Sequence, residues 1–401
     1  MKKKVIIVSH GMRIGGVERS LIGLLNAFDY EKYEVDLFLF IHDGEWMPLI
    51  PKEVNLLPEV KKYTGLLIST KKNIKNGYFD ILLGKTYAML KSKLFCKRNK
   101  LSPQNLVYMD YLQKYTHYSL PPINPGKEYD LGVSFMNPHY IVAHKVNCKK
   151  KIAWIHTDYS FFDFDIKSEL AIWGKYDYIA SISDSCTVSF ANRFPALKDK
   201  IVLIENILSP SFIREQADRI DTEDEALKET GVVTICSVGR FSEAKNFDNV
   251  PFICKKLVEW GLNVRWYLIG YGGDEALIRS KIADASMQER VIILGKKENP
   301  YPYVKGCDIY AQPSRYEGKA VTVREAQILC KPVVITNFAT AASQLRDGID
   351  GVVVPMDNEG CAEGIRALIQ NKPLQQKMIE NCRNSDFGNE KEVEKIYKLI
   401  V

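Results

Sequence analysis

Apolar runs of strand length recur along the first half of the chain and alternate with stretches in which apolar residues have helical spacing. Continuous runs of β-branched residues separated by helices are typical of a parallel sheet that is covered on both faces. The six runs begin at Val5, Tyr33, Asp130, Lys151, Asp177 and Ile201. The helical spacing is clearest at Val17, Leu21, Leu24 and Phe28.

A polar, acidic stretch interrupts this pattern, and a second alternating series follows it. The six strand-like runs of the second series begin at Val232, Val264, Arg290, Cys307, Pro332 and Gly351. The pattern predicts an α/β protein of two doubly wound, Rossmann-like parallel-sheet domains facing across a cleft. We expect a first domain at 1–205, a linker at 206–230, a second domain at 231–380, and a C-terminal helix at 381–401 that packs back on the first domain.

The bulk composition agrees with two ordinary globular domains. The chain has 401 residues, of which 46% are hydrophobic and 26% charged. Nine cysteines stand apart without C-x-x-C spacing, so we expect reduced thiols rather than a metal or redox site. The apolar run near the start is too short for a signal peptide, and no run is long enough to cross a bilayer. A cytoplasmic protein is expected.

Glycines and cations follow several of the predicted strands. Gly15 and Gly16 open the first helix, where free backbone N–H groups attract anions. Arg240 and Lys245 follow the first strand of the second domain, and such a pair suits a diphosphate. A plain turn and two surface charges are the alternatives. Gly270 and Gly272 repeat the arrangement of strand, glycine turn and helix after the next strand.

Two glutamates, Glu317 and Glu325, lie eight positions apart in the stretch SRYEGKAVTVREA. Eight helical positions span about 12 Å, roughly the reach from a nucleoside ribose across a diphosphate to a hexose. Each carboxylate could accept hydrogen bonds from sugar hydroxyls. Backbone N–H groups of Lys319, Ala320 and Val321, at the predicted helix start, would face the phosphates. The spacing therefore indicates a sugar nucleotide as ligand.

These motifs, in the order GGVERS, SVGR with KN, LIGYGG and E-x7-E, resemble family 4 of the retaining glycosyltransferases of the GT-B fold. The stretch EGKAVTVREA is similar to the variant common among bacterial capsule and cell-surface polysaccharide transferases. The resemblance spans nearly the whole chain. It implies that the first domain binds the acceptor and that the second binds a nucleotide sugar.

The resemblance also assigns roles. It implies that Glu317 contacts the donor sugar, that Glu325 contacts the ribose, and that Arg240 and Lys245 hold the diphosphate. His156, at the end of a predicted strand, best matches the family's histidine near the donor sugar, and His10 is the rival. Gly318 and Lys296 complete the expected donor-binding set.

The resemblance implies transfer of a hexose or N-acetylhexosamine from a nucleoside diphosphate, UDP above all, to a saccharide with anomeric configuration kept. The sequence offers no D-x-D cluster suited to a metal, so we expect no metal and no cofactor other than the nucleotide sugar as co-substrate. A GT-B-fold epimerase or phosphorylase, and a non-catalytic transferase-like partner subunit, are the alternatives.

Residues 61–100 hold eleven Lys or Arg against one acid, Asp80, with aromatic and aliphatic residues between them. A solvated basic face and a surface for anionic lipid both fit this bias. We expect a peripheral contact with the inner face of the cell membrane, a lipid-linked acceptor, and no nucleic-acid partner.

Overall fold

The structure, a computed structural model, describes residues 2–13, 15–102, 105–219, 231–317 and 320–400. The chain divides into two compact units. The first consists of Met1–Ile207 with Glu390–Val401, and the second of Leu208–Asn389. None of the described helices combines the length and the apolarity that crossing a bilayer requires.

The first unit contains a parallel sheet of seven strands in the order β3-β2-β1-β4-β5-β6-β7. The strands are β1 Lys3–Ser9, β2 Tyr33–Leu39, β3 Asn55–Leu56, β4 Tyr129–Ser134, β5 Cys148–Ile155, β6 Tyr178–Ser181 and β7 Ile201–Leu203. Its helices are α1 Gly16–Ala27, α2 Lys61–Thr64, α3 Thr70–Lys75, α4 Phe79–Asn99, α5 Val107–Thr116, α6 Tyr140–Lys145, α7 Ile166–Trp173, α8 Asp184–Arg193 and, at the C-terminal end, α17 Val393–Leu399.

The second unit contains a parallel sheet of six strands in the order β10-β9-β8-β11-β12-β13. The strands are β8 Val233–Val238, β9 Val264–Ile269, β10 Val291–Gly295, β11 Ile309–Gln312, β12 Val333–Thr336 and β13 Val352–Val354. Its helices are α9 Pro210–Asp218, α10 Val250–Glu259, α11 Glu275–Asp284, α12 Tyr301–Gly306, α13 Val321–Ile328, α14 Ala341–Gln344, α15 Asn358–Gln370 and α16 Lys372–Arg383.

The sequence pattern therefore predicted every strand except the two-residue β3. The inner strands of each sheet are largely buried on both faces, as the continuous apolar runs require, whereas the edge strands β3, β7, β10 and β13 are more exposed. In both sheets the order in which the chain adds strands reverses at a central strand. In the first sheet β2 and β4 lie on opposite sides of β1, and in the second β9 and β11 lie on opposite sides of β8. Ligands of open parallel sheets bind beside the carboxyl ends of the strands at such a point.

Part of the stretch expected to be a linker is a helix of the second unit. Ser209 begins α9 by accepting a hydrogen bond from the Phe212 backbone N–H, and Pro210 occupies the first helical position. Ile213 and Ala217, four residues apart, bury their side chains. Residues 220–230 lie outside the described part of the chain.

The end of the chain also divides differently from the expected boundary at 381. Residues 381–389 belong to the second unit, and the first unit resumes at Glu390. In α17, Tyr397 stacks on Tyr33, with ring centroids 4.1 Å apart. Its hydroxyl accepts a hydrogen bond of 2.7 Å from the Asp29 backbone N–H. These contacts hold α17 against the first unit.

Candidate functional site

A chain of hydrogen bonds positions Glu317 at the carboxyl end of β11. The Tyr310 hydroxyl donates to Gln312 Oε1 at 2.7 Å, and Gln312 Nε2 donates to Ser314 Oγ at 2.9 Å. Ser314 Oγ donates to Glu317 Oε1 at 2.6 Å. Gln312 and Ser314 are fully buried. The Glu317 carboxylate is thus fixed by side chains that are themselves fixed, as a preorganised site requires.

Lys245 forms an ion pair with this carboxylate, with 2.5 Å between its Nζ and Glu317 Oε1. Both side chains are largely buried, 18% exposed for Lys245 and 10% for Glu317. Lys245 ends a short 3₁₀ turn after β8, and Asn246 closes that turn with a φ of 58°. Asparagine tolerates this left-handed conformation better than most residues do. The structure therefore brings two of the residues singled out in the sequence into contact.

Arg240 lies in the same loop, and its side chain is exposed. The arginine that braces this loop is instead Arg315, which the sequence analysis did not single out. Its guanidinium makes two hydrogen bonds to the Asp248 carboxylate, at 2.9 and 2.7 Å, and one of 2.6 Å to the Glu243 carbonyl. The hydrogen bond to Asp248 raises the pKa of Arg315. The loop that carries Arg240 and Lys245 is thereby tied to the loop that carries Glu317.

Gly270 and Gly272 have a packing reason to be glycine. Gly270 has a φ of 150°, and a Cβ at this position would lie 1.8 Å from the Gly239 carbonyl oxygen. A Cβ on Gly272 would lie 2.2 Å from the Phe241 carbonyl oxygen. The two glycines let the loop after β9 pass directly against the loop that bears Arg240. Their expected contact with a ligand stays a prediction.

Glu317 and Glu325 do not lie on one helix, so the span of about 12 Å expected for eight helical positions does not apply to them. The helix α13 begins at Val321, so only four helical positions, about 6 Å, separate its start from Glu325. Glu325 is buried and accepts a hydrogen bond of 3.0 Å from the Tyr301 hydroxyl. The Ala320 N–H, expected to face a phosphate, donates to Gln344 Oε1 at 3.0 Å. The side-chain amide of Gln344 thus occupies a position in which a phosphate of the ligand was expected.

Three further residues were expected to bind the donor. Gly318 and Lys319 lie outside the described part of the chain. Lys296 follows β10, and its Nζ lies 5.5 Å from the centroid of the Tyr271 ring.

The helix start at Gly15 and Gly16 already has a carboxylate beside it. Gly15 is the N-cap of α1 in extended conformation, and a Cβ there would lie 2.3 Å from Glu18 Oε2. An acidic side chain in the first turn complements the helix dipole. The chain's own Glu18 therefore already places negative charge where an anionic ligand was expected.

Three histidines gather beyond the carboxyl ends of β1, β4 and β5 in the first unit. His156 Nε2 donates to the Phe135 carbonyl at 2.7 Å, so its tautomer is fixed. His139 Nδ1 lies 2.8 Å from Ser134 Oγ, and its Nε2 is buried without a partner among the described residues. His10 Nε2 is likewise buried without a partner there.

Loss of hydration lowers the pKa of all three rings. The pKa of His10 and that of His156 are each lowered to about 4, and that of His139 to about 3, in each case chiefly by burial. At neutral pH these imidazoles are uncharged. They can exchange hydrogen bonds with a ligand, but they do not bring positive charge to it.

A cavity of about 540 Å³ opens beside His10 in the first unit. Its wall comes from four separated segments, which explains why no sequence motif marked it. Polar groups include Arg13 and Asp43, which form an ion pair with each other, and Lys72. Leu67, Ile68 and Met136 supply apolar wall. His156 is not part of the lining, so the structure separates the two rival histidines.

Among the described residues, no group of three or more His, Cys, Asp or Glu side chains is arranged to hold a metal ion. The one D-x-D sequence, Asp163 and Asp165, has structural partners. Asp163 Oδ2 accepts from the Ser102 N–H at 2.9 Å, and Asp165 caps α7 and accepts from the Tyr111 hydroxyl at 2.7 Å.

Residues 218–385 match the family model described as glycosyl transferases group 1. They contain Arg240, Lys245, Glu317 and Glu325. The matched residues all lie in the second unit. The family resemblance stated from the motifs is thereby confirmed.

Curated relatives that match part of this chain are glycosyltransferases by their names. The N-acetylgalactosamine-N,N'-diacetylbacillosaminyl-diphospho-undecaprenol 4-alpha-N-acetylgalactosaminyltransferase of Campylobacter jejuni is 24% identical over 205 residues, which cover 51% of this chain and 53% of that protein. The UDP-Gal:alpha-D-GlcNAc-diphosphoundecaprenol alpha-1,3-galactosyltransferase of Escherichia coli is 23% identical over 121 residues, 29% of this chain and 31% of that protein. The chain spans about half the length, or less, of these relatives.

Solved structures match this chain along its whole length. A glycosyltransferase from Rickettsia africae superimposes with a TM-score of 0.63 at 16% identity, covering 100% of this chain and 98% of that one. Anabaena Alr3699/HepE in complex with UDP and glucose gives a TM-score of 0.62 at 15% identity, covering 99% of each chain. At these identities the likeness shows the fold alone, which is that of the GT-B glycosyltransferases.

Proposed function

We propose that this protein is a retaining glycosyltransferase that moves a hexose or N-acetylhexosamine from a nucleoside-diphosphate sugar to a saccharide acceptor. The observation that carries the proposal is the buried contact between Lys245 and Glu317 at the carboxyl edge of the second sheet. A cation for phosphate and a carboxylate for sugar hydroxyls stand there side by side. This is the pairing that a sugar nucleotide needs.

The contacts of Glu317 leave one of its oxygens for the donor sugar. Lys245 and Ser314 both donate to Oε1, and we assign Oε2 to a sugar hydroxyl. The Lys245 ammonium has three N–H donors, of which one is used by Glu317, so the others can reach the diphosphate. Arg240, exposed in the same loop, is proposed as the second phosphate contact.

The proposed reaction keeps the anomeric configuration without a protein nucleophile. The acceptor hydroxyl attacks the anomeric carbon on the face from which the diphosphate departs, and the leaving phosphate oxygen takes the hydroxyl proton. Positive charge from Lys245 and Arg240 stabilises the charge that grows on that oxygen. Since these side chains can supply the stabilisation, we propose that no divalent ion is needed. Full activity after EDTA treatment is expected, and loss that only Mn²⁺ or Mg²⁺ restores would contradict it.

UDP is the favoured nucleotide and a lipid-linked saccharide the favoured acceptor. Support comes from UDP in the Anabaena structure and from the diphospho-undecaprenol acceptors in the names of two relatives. The excess of Lys and Arg at 61–100 also fits a protein that works at the inner face of an anionic membrane. We place the acceptor saccharide in the cavity beside His10, because that cavity has room for sugar rings and both polar and apolar wall.

A donor screen tests the assignment. UDP sugars and GDP sugars are each added to the protein at about 100 times a dissociation constant typical of such ligands. At that concentration binding adds about 2.7 kcal/mol to the free energy of unfolding. We expect a UDP sugar to raise the unfolding temperature and to be hydrolysed slowly or transferred. A protein that binds donors but neither hydrolyses nor transfers them would support a non-catalytic partner subunit. Interconversion of free sugar nucleotides would indicate an epimerase.

A further inference from the structure

The helix α4 presents a line of large apolar side chains to solvent. Phe79, Leu83, Tyr87, Leu90 and Leu94 are 60, 72, 47, 53 and 65% exposed. At about 100° per residue these five positions fall within an arc of about 80° on the helix surface. We call this line the α4 stripe. It runs from the start of this 21-residue helix to Leu94, over about 24 Å.

The opposite face of α4 holds the helix on the first unit. Ile81, Ala88 and Ser92 are buried there. Gly84 allows close approach to α5, because a Cβ at this position would lie 2.8 Å from Thr116 Cγ2 and from the Tyr115 carbonyl oxygen. The helix is therefore apolar on two faces, and only one of them is used for folding. An exposed apolar surface of this extent marks an interaction site.

Cations border the α4 stripe on both sides. Lys91, Lys93, Lys97 and Arg98 project within about 40° of its edges or from its end. The one acid between residues 61 and 100, Asp80, is already paired with Lys62 at 2.5 Å. The surface thus offers apolar side chains and uncompensated positive charge together.

This combination decides between the occupants that an apolar helix face can take. A second copy of the chain would bring the same cations against each other, which costs free energy in a desolvated interface. An anionic bilayer satisfies both features at once, since the apolar side chains enter the acyl region while Lys and Arg meet headgroup phosphates.

We propose that α4 lies in the plane of an anionic membrane with the α4 stripe inserted below the headgroups. The sequence suggested only electrostatic attraction, whereas the exposed stripe adds insertion as the main anchor. The inference extends the proposed function and rests on it in one respect, because the membrane contact would bring the protein to a lipid-linked acceptor. Lys85 on α4 donates a 2.8 Å hydrogen bond to the Ile68 carbonyl, and Ile68 lines the cavity assigned to the acceptor saccharide. The inserted helix therefore adjoins the cavity wall.

Cosedimentation with vesicles tests the insertion. Vesicles of phosphatidylglycerol and phosphatidylethanolamine are compared with neutral phosphatidylcholine vesicles. Salt is set at about 0.1 M, and then at about 1 M, where the Debye length is about 3 Å. The wild-type protein is expected to bind the anionic vesicles and to keep a measurable fraction bound at high salt. The variant Leu83→Glu/Leu90→Glu is expected to lower the partition coefficient at least about tenfold at either salt concentration.

A matched control comes from the same unit. Val188 on α8 is 58% exposed but lies off the stripe, so Val188→Glu is expected to partition as the wild type does. Because the substituted side chains are exposed, all variants should keep the wild-type unfolding temperature within about 2 °C.

Three results would overturn the proposal. One is vesicle binding that high salt abolishes and that Leu83→Glu/Leu90→Glu leaves unchanged, because binding would then depend on surface charge and not on insertion. Another is a wild-type dimer that this variant converts to a monomer in sedimentation, which would make a second copy the occupant. The third is absence of binding to any vesicle.

Failure of the transferase assignment would look different. Vesicle binding needs no substrate, so it would persist in a protein that transfers no sugar. Conversely, if the protein is a transferase, Leu83→Glu/Leu90→Glu should retain wild-type activity on a water-soluble saccharide acceptor and lose it only on acceptor embedded in vesicles.

Discussion

The carboxyl edges of the two sheets are built differently. At the edge of the second sheet, charged side chains are matched within the protein, as between Lys245 and Glu317 or Arg315 and Asp248. At the edge of the first sheet the buried imidazoles are neutral. His10 alone of the three lines the open cavity, and it keeps a ring nitrogen without a partner in the described part of the chain. The second edge is prepared for a fixed, strongly charged ligand. The first offers room and a few adaptable polar groups, which suits a more variable one.

Replacing Glu317 with Gln should have the largest effect, because it removes the charge that Lys245 and Ser314 hold in place. We expect turnover to fall about 10² to 10³-fold, as for loss of a preorganised charged contact. Nucleotide release is the measurement, with donor affinity followed in parallel. The matched control is Glu259→Gln, which breaks another Lys–Glu ion pair of the same unit, with Lys255, at the C-terminal end of α10. Equal rates for the wild type and Glu317→Gln would refute the role of Glu317.

The two edges also differ in how far the sequence predicted them. In the second unit the ligand-side residues follow strands that their apolar runs identify, and Glu317, Lys245 and Arg240 lie within short motifs. The bracing by Arg315 and Asp248 could not be predicted, because their contact joins loops 67 residues apart. The sequence showed the spacing of Glu317 and Glu325 but not which side chains hold their carboxylates in place.

In the first unit the strands were predicted but the cavity was not. Its lining comes from the loop after β1 and the start of α1, from the loop after β2, from the segment that leads from α2 into α3, and from the loop after β4. Single residues from separate loops leave no periodic or spaced pattern. The α4 stripe did leave one, since apolar residues recur at 79, 83, 87, 90 and 94. Helical spacing alone, however, does not say whether such a face is buried.

Substitution of Arg240 should mainly weaken nucleotide binding, whereas substitution of Arg315 should mainly lower the stability of the second unit. Arg240 is exposed, so Arg240→Gln should weaken nucleoside-diphosphate binding about tenfold or more while the free energy of unfolding changes by less than about 0.5 kcal/mol. Arg315→Gln should instead destabilise the unit by about 1 to 3 kcal/mol, because the Asp248 carboxylate loses its partner. Calorimetric titration with UDP and denaturant unfolding measure the two quantities. Similar losses of affinity in both variants, without a difference in stability, would argue against this division.

His10 should affect the acceptor rather than the donor. Since its ring lines the cavity and is neutral at pH 7, His10→Asn removes one hydrogen bond between neutral groups. Such a bond contributes about 0.5 to 1.5 kcal/mol, so the acceptor KM should rise up to about tenfold. The donor KM should stay unchanged, as should both values in the control His144→Asn, which lies on α6 outside the cavity. A rise in the donor KM alone would place His10 at the donor instead.

The smallest expected effect is a pH dependence that distinguishes the two units. All six histidines belong to the first unit, and five of them have a lowered pKa, chiefly through burial. Between the unfolded value near 6.5 and the lower folded values, the unfolded chain binds more protons, so stability is lost as pH falls through this window. Two buried carboxyls of the same unit, Asp110 and Glu169, have a raised pKa and oppose part of this loss.

Because the second unit contains no histidine, only the first should weaken by this mechanism between about pH 6.5 and 5. His139 is 1% exposed, and its pKa is lowered to about 3. One proton per molecule over that window corresponds to about 2 kcal/mol, so His139→Gln should flatten the pH dependence by up to that amount. Hydrogen exchange at several pH values, mapped to the two units, measures both slopes. If the second unit opened first on acidification, or if His139→Gln left the slope of the first unit unchanged, the buried imidazoles would not be the source of the acid sensitivity.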